Sequence, residues 1–251
     1  MHHRCGVLLD PWRCAQLESR LAAVARQYGF RSVDELVGVA CSAFAPRRLE
    51  RALINALTSH DTGFFRDASF FDVLACLVLP RVHARLGETE VLRIWCAGCS
   101  TGQEAYSVAI LLADKHPALL ARTEIIATDV ADLVLERARA ANYSVSEVGQ
   151  GLQPAHLGRH FEQTADGYRV GEHLRSRIRF RCGNLLDCHE TGASFHVIVC
   201  RNVLSSFAPN NRVLVATRLN VALRPGGYIG IGQAEEIPGK HLLAGWYAPS
   251  P

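Results

Sequence analysis

Ile94-Trp95-Cys96-Ala97-Gly98-Cys99-Ser100-Thr101-Gly102-Gln103-Glu104 carries an apolar run into a turn of small residues, and an acid follows at the start of an amphipathic segment. That order predicts a buried strand, a tight loop and a helix. In open α/β sheets such a junction places a ligand beyond the C-terminal end of the strand. Gly98 and Gly102 let the backbone approach that ligand closely. Glu104 falls in the first helical turn, where the helix dipole favours an anion. No P-loop lysine follows, which argues against a phosphate cradle. A carboxylate at this place suits a cationic ligand group such as an amino group.

The surrounding chain has the same texture. Val91 to Trp95 and Glu124 to Thr128 are strand candidates, and helices are predicted over Gln103 to Lys115 and Ala131 to Ala141. Val197 to Cys200 is a short apolar run of buried-strand type. Asn211 to Leu223 is a predicted helix, stopped by Pro225-Gly226-Gly227 and followed by a strand from Tyr228 to Gly232. Strands alternating with helices indicate a largely parallel sheet with helices on both faces. Asp129 ends the second strand, 27 residues after Gly102. An acid there can accept hydrogen bonds from ribose hydroxyls. The pattern therefore points to an adenosine-type cofactor, with a nicotinamide dinucleotide and S-adenosylmethionine both open. Asn184 and Asn202 each end a strand-like run; singly, such residues are turn formers.

Two regions depart from the alternation. Residues 12–60 read as helices. Leu17, Leu21 and Val24 recur at helical spacing, Gly29 closes the first helix, and Ser32 with Glu35 forms a capping box. A third helix begins near Pro46 and carries Leu49, Leu53, Ile54 and Leu57. The expected organisation is a helical N-terminal domain and linker over 1–66 and an α/β domain over 67–251. Within the latter, residues 160–181 read as an inserted antiparallel hairpin turning at Asp166-Gly167. It is either a partner-binding flap or a plain surface hairpin.

Composition narrows the class. Of the 251 residues, 49% are hydrophobic and 20% charged, so the chain can bury a sizeable core. Lys and Arg total 27 against 24 Asp and Glu, a balance that argues against a general nucleic-acid binder. Nine cysteines in a chain of this length do not read as a disulfide framework. The single CxxC, Cys96 and Cys99, has no second pair at zinc spacing, so no metal is expected, and both thiols are read as small packing residues. The N-terminus is too short in apolar residues for a signal sequence, and the Val73 to Pro80 run is well short of a membrane span. The expectation is a cytoplasmic globular protein with no membrane insertion.

Taken together, the motifs resemble the chemoreceptor glutamate O-methyltransferases, the CheR family. The resemblance rests on Ile54-Asn55-Ala56-Leu57-Thr58, Thr62-Gly63-Phe64-Phe65-Arg66-Asp67, the Cys99 to Ser107 loop and Ala127-Thr128-Asp129-Val130. It continues through Asn184-Leu185-Leu186, Cys200-Arg201-Asn202-Val203-Leu204 and Pro225-Gly226-Gly227-Tyr228, in the family's order from about residue 12 to 248. It implies a Rossmann-like S-adenosylmethionine-dependent methyltransferase sheet with a small helical N-terminal domain and an inserted antiparallel β subdomain. The substrate it implies is glutamate side chains on the cytoplasmic helices of chemoreceptors.

By the same resemblance Thr62, Arg66, Gly98, Glu104, Asp129, Asn184, Leu185 and Asn202 form the cofactor site. Glu104 is expected at the methionine end, Asp129 at the ribose, Asn184 and Leu185 by the adenine, and Asn202 near the reacting centre. Arg66 is the candidate catalytic residue, in an orienting role. Four segments depart from the family pattern: Thr58-Ser59-His60, Gln103-Glu104, Leu204-Ser205-Ser206-Phe207 and Gly232-Gln233-Ala234-Glu235. Ser206 stands where the family carries a tyrosine, which bears on the acceptor and the rate more than on cofactor binding. Methylation of another protein or small-molecule carboxylate, and cofactor binding without turnover, are the alternative readings. The basic N-terminal helix face, with Arg13, Arg20 and Arg26, is thin for gripping receptor helices. The short Asp166-Gly167 turn argues against binding a receptor's C-terminal pentapeptide.

Overall fold

A computed structural model describes residues 14–42, 45–58, 61–187, 194–237 and 240–248. Arg13, Ser59 and His60, singled out above, lie outside the described residues. Among the described residues the first elements are three helices, α1 Cys14–Gln27, α2 Val33–Ala40 and α3 Arg47–Leu57. Ser32 Oγ accepts the Glu35 N–H at 3.1 Å and caps α2. The reciprocal half of the expected capping box is displaced by one residue, since Glu35 takes the Arg31 N–H at 2.7 Å. Val24, Ala25, Leu36, Leu49 and Leu53 form a separate small core among these helices. Each buried leucine there stabilises the unit by roughly 1.5–3 kcal/mol.

A linker leads to α4, Ala68–Val73, which continues through one π turn, Leu74–Val78, into α5, Leu79–His83. The wide turn directly precedes Pro80. The Leu79 N–H reaches back five residues to the Leu74 carbonyl, and the π turn absorbs the loss of a donor at the proline.

The α/β unit then follows: β1 Leu92–Ala97, α6 Gln103–Lys115, α7 Pro117–Leu120, β2 Thr123–Asp129 and α8 Asp132–Ala140. The next segment is β3 Asn142–Tyr143, α9 Val145–Gly149, α10 Pro154–His160, β4 Phe161–Thr164, β5 Gly167–Val170 and α11 Glu172–Arg175. The chain closes with β6 Ile178–Cys182, β7 Phe195–Cys200, α12 Pro209–Ala222, β8 Leu223–Ile231, β9 Lys240–His241 and β10 Trp246–Ala248.

Among the described residues the main sheet runs β6-β2-β1-β7-β8-β10-β9. The five strands from β6 to β8 are parallel, and β10 and β9 are antiparallel at one edge. From β1 the chain winds outward to β2 and β6, then crosses back to β7 beside it. The strand order therefore reverses between β1 and β7. All six residues of β7 are buried, as expected of a central parallel strand covered on both faces. Alternation along β1 builds the two layers: Ile94 and Cys96 join the core under α4 and α6, while Trp95 and Ala97 join the core under α12.

Two expectations need correction. The inserted hairpin is confined to β4 and β5, with Thr164 paired to Gly167 so that Ala165 and Asp166 make the turn. Residues 178–182 belong instead to the edge of the main sheet, paired in parallel with β2 from Ile125↔Ile178 to Asp129↔Cys182. The flap gains a third strand, β3, through Asn142↔Arg169 and Tyr143↔Tyr168. Two residues are too few to show a strand period. The Pro225-Gly226-Gly227 helix stop lies inside β8, at the register shift opposite Phe195 and Val197; α12 has already ended at Ala222.

Candidate active site

The cleft lies where topology puts it, beyond the C-terminal ends of β1, β2, β6 and β7 at the strand-order reversal. Its walls include Thr62, Arg66, Gly98, Glu104, Asp129, Asn184, Leu185 and Asn202, so all eight residues expected from sequence line one cleft of about 980 Å³, open solvent included.

The loop after β1 is set by the end of β2. The Thr128 carbonyl accepts the N–H groups of Gly98 and Cys99 at 2.8 and 2.9 Å. Gly98 has φ +77, and a Cβ there would stand 2.4 Å from a Val203 methyl carbon. Only glycine fits between the loop and the segment after β7. Gly102, at φ +94, turns the chain into α6. Tyr143 from β3 donates to the Thr101 carbonyl at 2.7 Å and ties the flap to this loop.

Asp129 ends β2 with both carboxylate oxygens engaged. Oδ2 accepts the Ser100 N–H at 2.8 Å and Oδ1 the Ala131 N–H at 3.0 Å. Asn184, after β6, turns its amide onto its own loop: Nδ2 donates to Asp187 at 2.9 Å and Oδ1 accepts the Leu186 N–H at 3.0 Å. The amide thus shapes the turn that presents Leu185. Asn202, after β7, is left-handed at φ +57, and Glu235 fixes that bend. The Glu235 carboxylate accepts the N–H groups of Asn202, Ser205 and Gly232, each at 2.9 Å.

Glu104 lies deep in the cleft, its side chain 13% exposed, and accepts from Arg201 Nη1 at 3.1 Å. Burial pushes its carboxyl up to about 6 against the opposing charge of Arg201, with Glu235 adding to the rise and Arg66 opposing it. Arg201 is itself buried, also pairs with Asp67, and stacks 4.3 Å above the Phe70 ring.

Arg66 arrives from the linker. Its neighbours Phe65 and Asp67 are left-handed, at φ +46 and +62, a strained arrangement for residues with side chains. The linker is held down by Phe64, whose ring meets Tyr143 and Phe161 edge-on at 4.9 and 5.7 Å. The Phe65 N–H donates to Ser107 Oγ at 2.9 Å. Arg66 is 41% exposed and donates to the Asp61 carboxylate at 3.2 Å. Thr62 stands beside it on the cleft wall, and Ser206 and Phe207 line the side after β7.

Cys96 and Cys99 are buried. Burial, then the negative field of Glu104, pushes the Cys96 thiol well up; for Cys99 burial is joined by Asp129. Thiols held this far from ionisation are packing residues and poor redox centres. Among the described residues no group of three His, Cys, Asp or Glu side chains is placed to hold a metal ion.

Sequence reasoning gave no role to Arg201, Asp67 or Glu235. One signal was available: Arg201 follows the apolar run Val197 to Cys200, and a charge at the end of a buried strand needs buried partners. The identity of those partners is a tertiary property.

The donor set suits one kind of ligand. The lining carries the buried carboxylate of Glu104 and that of Asp129 at the end of β2, while Val130, Leu185, Val203 and Phe207 give apolar surface. That matches an amino cation, a diol and a flat ring. The mixed sheet of this order, its cleft and the family match that follows define an S-adenosylmethionine-dependent methyltransferase. The profile of the family "CheR methyltransferase, SAM binding domain" matches residues 60–245, and the chain belongs to that family. It is similar to chemotaxis protein methyltransferase 1 of Pseudomonas aeruginosa, 34% identical across 93% of this chain and 86% of that protein. The chemotaxis protein methyltransferases of Vibrio parahaemolyticus and Salmonella typhimurium are each 32% identical, across 95% and 94% of this chain and 87% and 81% of theirs.

Proposed function

We propose that this methyltransferase forms methyl esters on glutamate side chains of chemoreceptor cytoplasmic helices, with the N-terminal helical domain and linker supplying the cleft wall that Asp61, Thr62 and Arg66 line. The observation that carries the reading is the meeting, in one cleft, of Glu104, Asp129 and the linker arginine Arg66. When bound, S-adenosylmethionine supplies an electrophilic methyl group on a sulfonium.

The protein's own task is then positioning. A glutamate acceptor is already ionised near neutral pH, so no general base is required. Glu104 would hold the amino group, Asp129 the ribose, and the Leu185 turn the adenine, with Thr62 and Asn202 completing the walls. Arg66 would orient the acceptor carboxylate, a task its planar fork suits. Asp61 presents Arg66 with the same chemical group as the acceptor, so exchanging one for the other leaves the local charge unchanged. Alignment of this kind can supply several kcal/mol of barrier reduction.

The surrounding elements support a modest docking surface. Arg20 donates to the Ala56 and Thr58 carbonyls and so caps α3; it is part of the cap's own structure. The flap uses Tyr143 and Phe161 to seat Phe64, which gives it a role in holding the linker rather than a receptor tail peptide. Free thiols at Cys41, Cys76 and Cys182 accord with a reducing, cytoplasmic setting. No helix among the described residues is long and apolar enough to cross a membrane.

The test is methyl transfer to a purified receptor cytoplasmic fragment, with the modified residues located by peptide mass spectrometry. Methyl esters on glutamate, formed by the wild-type chain and about tenfold or more slower to form in Arg66→Ala, are expected. Methylation only at other residue types, or none, overturns the reading.

A further inference from the structure

Arg201 is the most enclosed cation of the cleft, its side chain 2% exposed. It projects from the end of β7 and reaches two acids on different elements. Nη1 donates to Glu104 Oε2 at 3.1 Å, at the start of α6. Nη2 pairs with Asp67, 134 residues away at the end of the linker. The guanidinium plane lies over Phe70, with its carbon 4.3 Å from the ring centroid, and near Phe71 at 5.8 Å. Its Nε is buried without a hydrogen-bond partner.

These contacts leave the guanidinium little freedom. Stacking on Phe70 fixes its plane, and the two acids fix its rotation within that plane. A lysine could supply the charge but not the two-pronged geometry. Phe70 and Phe71 belong to α4, directly after Asp67, so the element that orients Arg201 is the one the linker enters.

We propose that Arg201 is the positioning residue of the cofactor site: it holds Glu104 ionised and aimed into the cleft, and through Asp67 it locks the Arg66 segment to the same point. This deepens the methyltransferase reading and rests on it. The consequence is coupling. Whatever engages Glu104 from the cleft is felt at the linker, because one guanidinium serves both acids. Glu104 is faced by Arg201, Arg66 and Glu235 and by the thiols of Cys96, Cys99 and Cys200. Of the two cations, Arg201 opposes the burial of Glu104 most strongly.

The test is calorimetric titration of the full chain with S-adenosylhomocysteine across about pH 5 to 8, where a buried carboxyl raised in this way titrates. In the wild type, affinity should rise through the Glu104 transition. In Arg201→Met that midpoint should move up by about one pH unit or more, and affinity near pH 7 should fall about twofold or more, with recovery at higher pH. Arg201→Lys should keep the midpoint close to wild type. A general loss of structure would lower affinity without moving the midpoint. Asp67→Asn serves if Arg201→Met does not fold: it leaves Arg201 to Glu104 alone and should move the midpoint down. A wild-type midpoint retained in Arg201→Met, or in Asp67→Asn where that variant carries the test, overturns the role of Arg201 alone. A wild-type chain that does not bind S-adenosylhomocysteine overturns the methyltransferase reading, and this proposal with it.

Discussion

The Ser100 N–H donates to Asp129 Oδ2 at 2.8 Å, binding the loop after β1 to the last residue of β2. The other carboxylate oxygen takes the Ala131 N–H at 3.0 Å. One side chain therefore shapes the glycine loop, starts the next helix and faces the cleft.

Asp129→Ala should lose all three roles. Two backbone donors lose their acceptor, at about 1–3 kcal/mol for each that stays buried and unpaired. S-adenosylhomocysteine affinity should fall by roughly 10- to 100-fold, at about 1.4 kcal/mol per tenfold. Thermal unfolding and calorimetric titration read the two effects separately. Asp129→Asn keeps one acceptor oxygen and should recover part of the stability.

Arg66→Ala should separate activity from stability. The Arg66–Asp61 pair is exposed on both sides, and such pairs contribute roughly 0–1 kcal/mol. Unfolding should shift little while methyl transfer falls by about tenfold or more, the loss expected of a misaligned acceptor. A large loss of stability with proportionate loss of activity would make Arg66 a structural linker residue instead.

Glu104 should give the site a pH dependence whose sign follows from its burial. Its carboxyl is raised from 4.5 to about 6, so the folded chain holds this proton more tightly than the unfolded chain. The stability it contributes is fully present below its unfolded value and is lost as pH rises through about 6. That loss is on the order of 2 kcal/mol. Cofactor affinity should run the other way, because only the ionised form attracts an amino cation. Glu104→Gln should flatten both profiles, measured by denaturant unfolding and by titration across the same pH range.

Asp114 anchors the flap. Its carboxylate meets Arg159 at 2.6 Å and His160 at 3.1 Å. Burial raises its carboxyl, but the His160 hydrogen bond and the charges of His160, Arg159 and His156 outweigh that and hold it below the ordinary value. This contribution is present above the unfolded value and is lost as pH falls through the lower folded value. Asp114→Asn should cost about 1–3 kcal/mol and speed amide hydrogen exchange across α10, β4 and β5 more than in β7.

Phe64→Ala should loosen the linker from the flap. Its ring is buried between Tyr143 and Phe161, and removing such a ring costs about 3–5 kcal/mol. Methyl transfer should fall further than S-adenosylhomocysteine affinity, since Arg66 is carried on this segment.

How much of this was legible in the sequence follows from the reach of each signal. The Gly98 loop, Glu104 and Asp129 are local: glycines after an apolar run, an acid in a first helical turn and an acid ending a strand each have a near-neighbour cause. The Arg201 clamp is not, because Glu104 and Asp67 reach it from 97 and 134 residues away. Asn184 was legible as a strand-end amide, but its engagement with Asp187 and Leu186 depends on how the turn closes. Periodicity alone overextends the flap, because Ile178 to Cys182 has the same alternation whether it pairs within a hairpin or with β2. Its third strand was missed because Asn142 and Tyr143 carry no period.

The central claim, that the cleft between β1 and β7 holds the methyl donor through Glu104 and Asp129, is tested most directly by titrating the full chain with S-adenosylhomocysteine. Saturable binding to one site per chain, abolished in the Glu104→Gln/Asp129→Ala double variant, is the predicted result. Absence of saturable binding by the wild-type chain, or undiminished binding by the folded double variant, would contradict it.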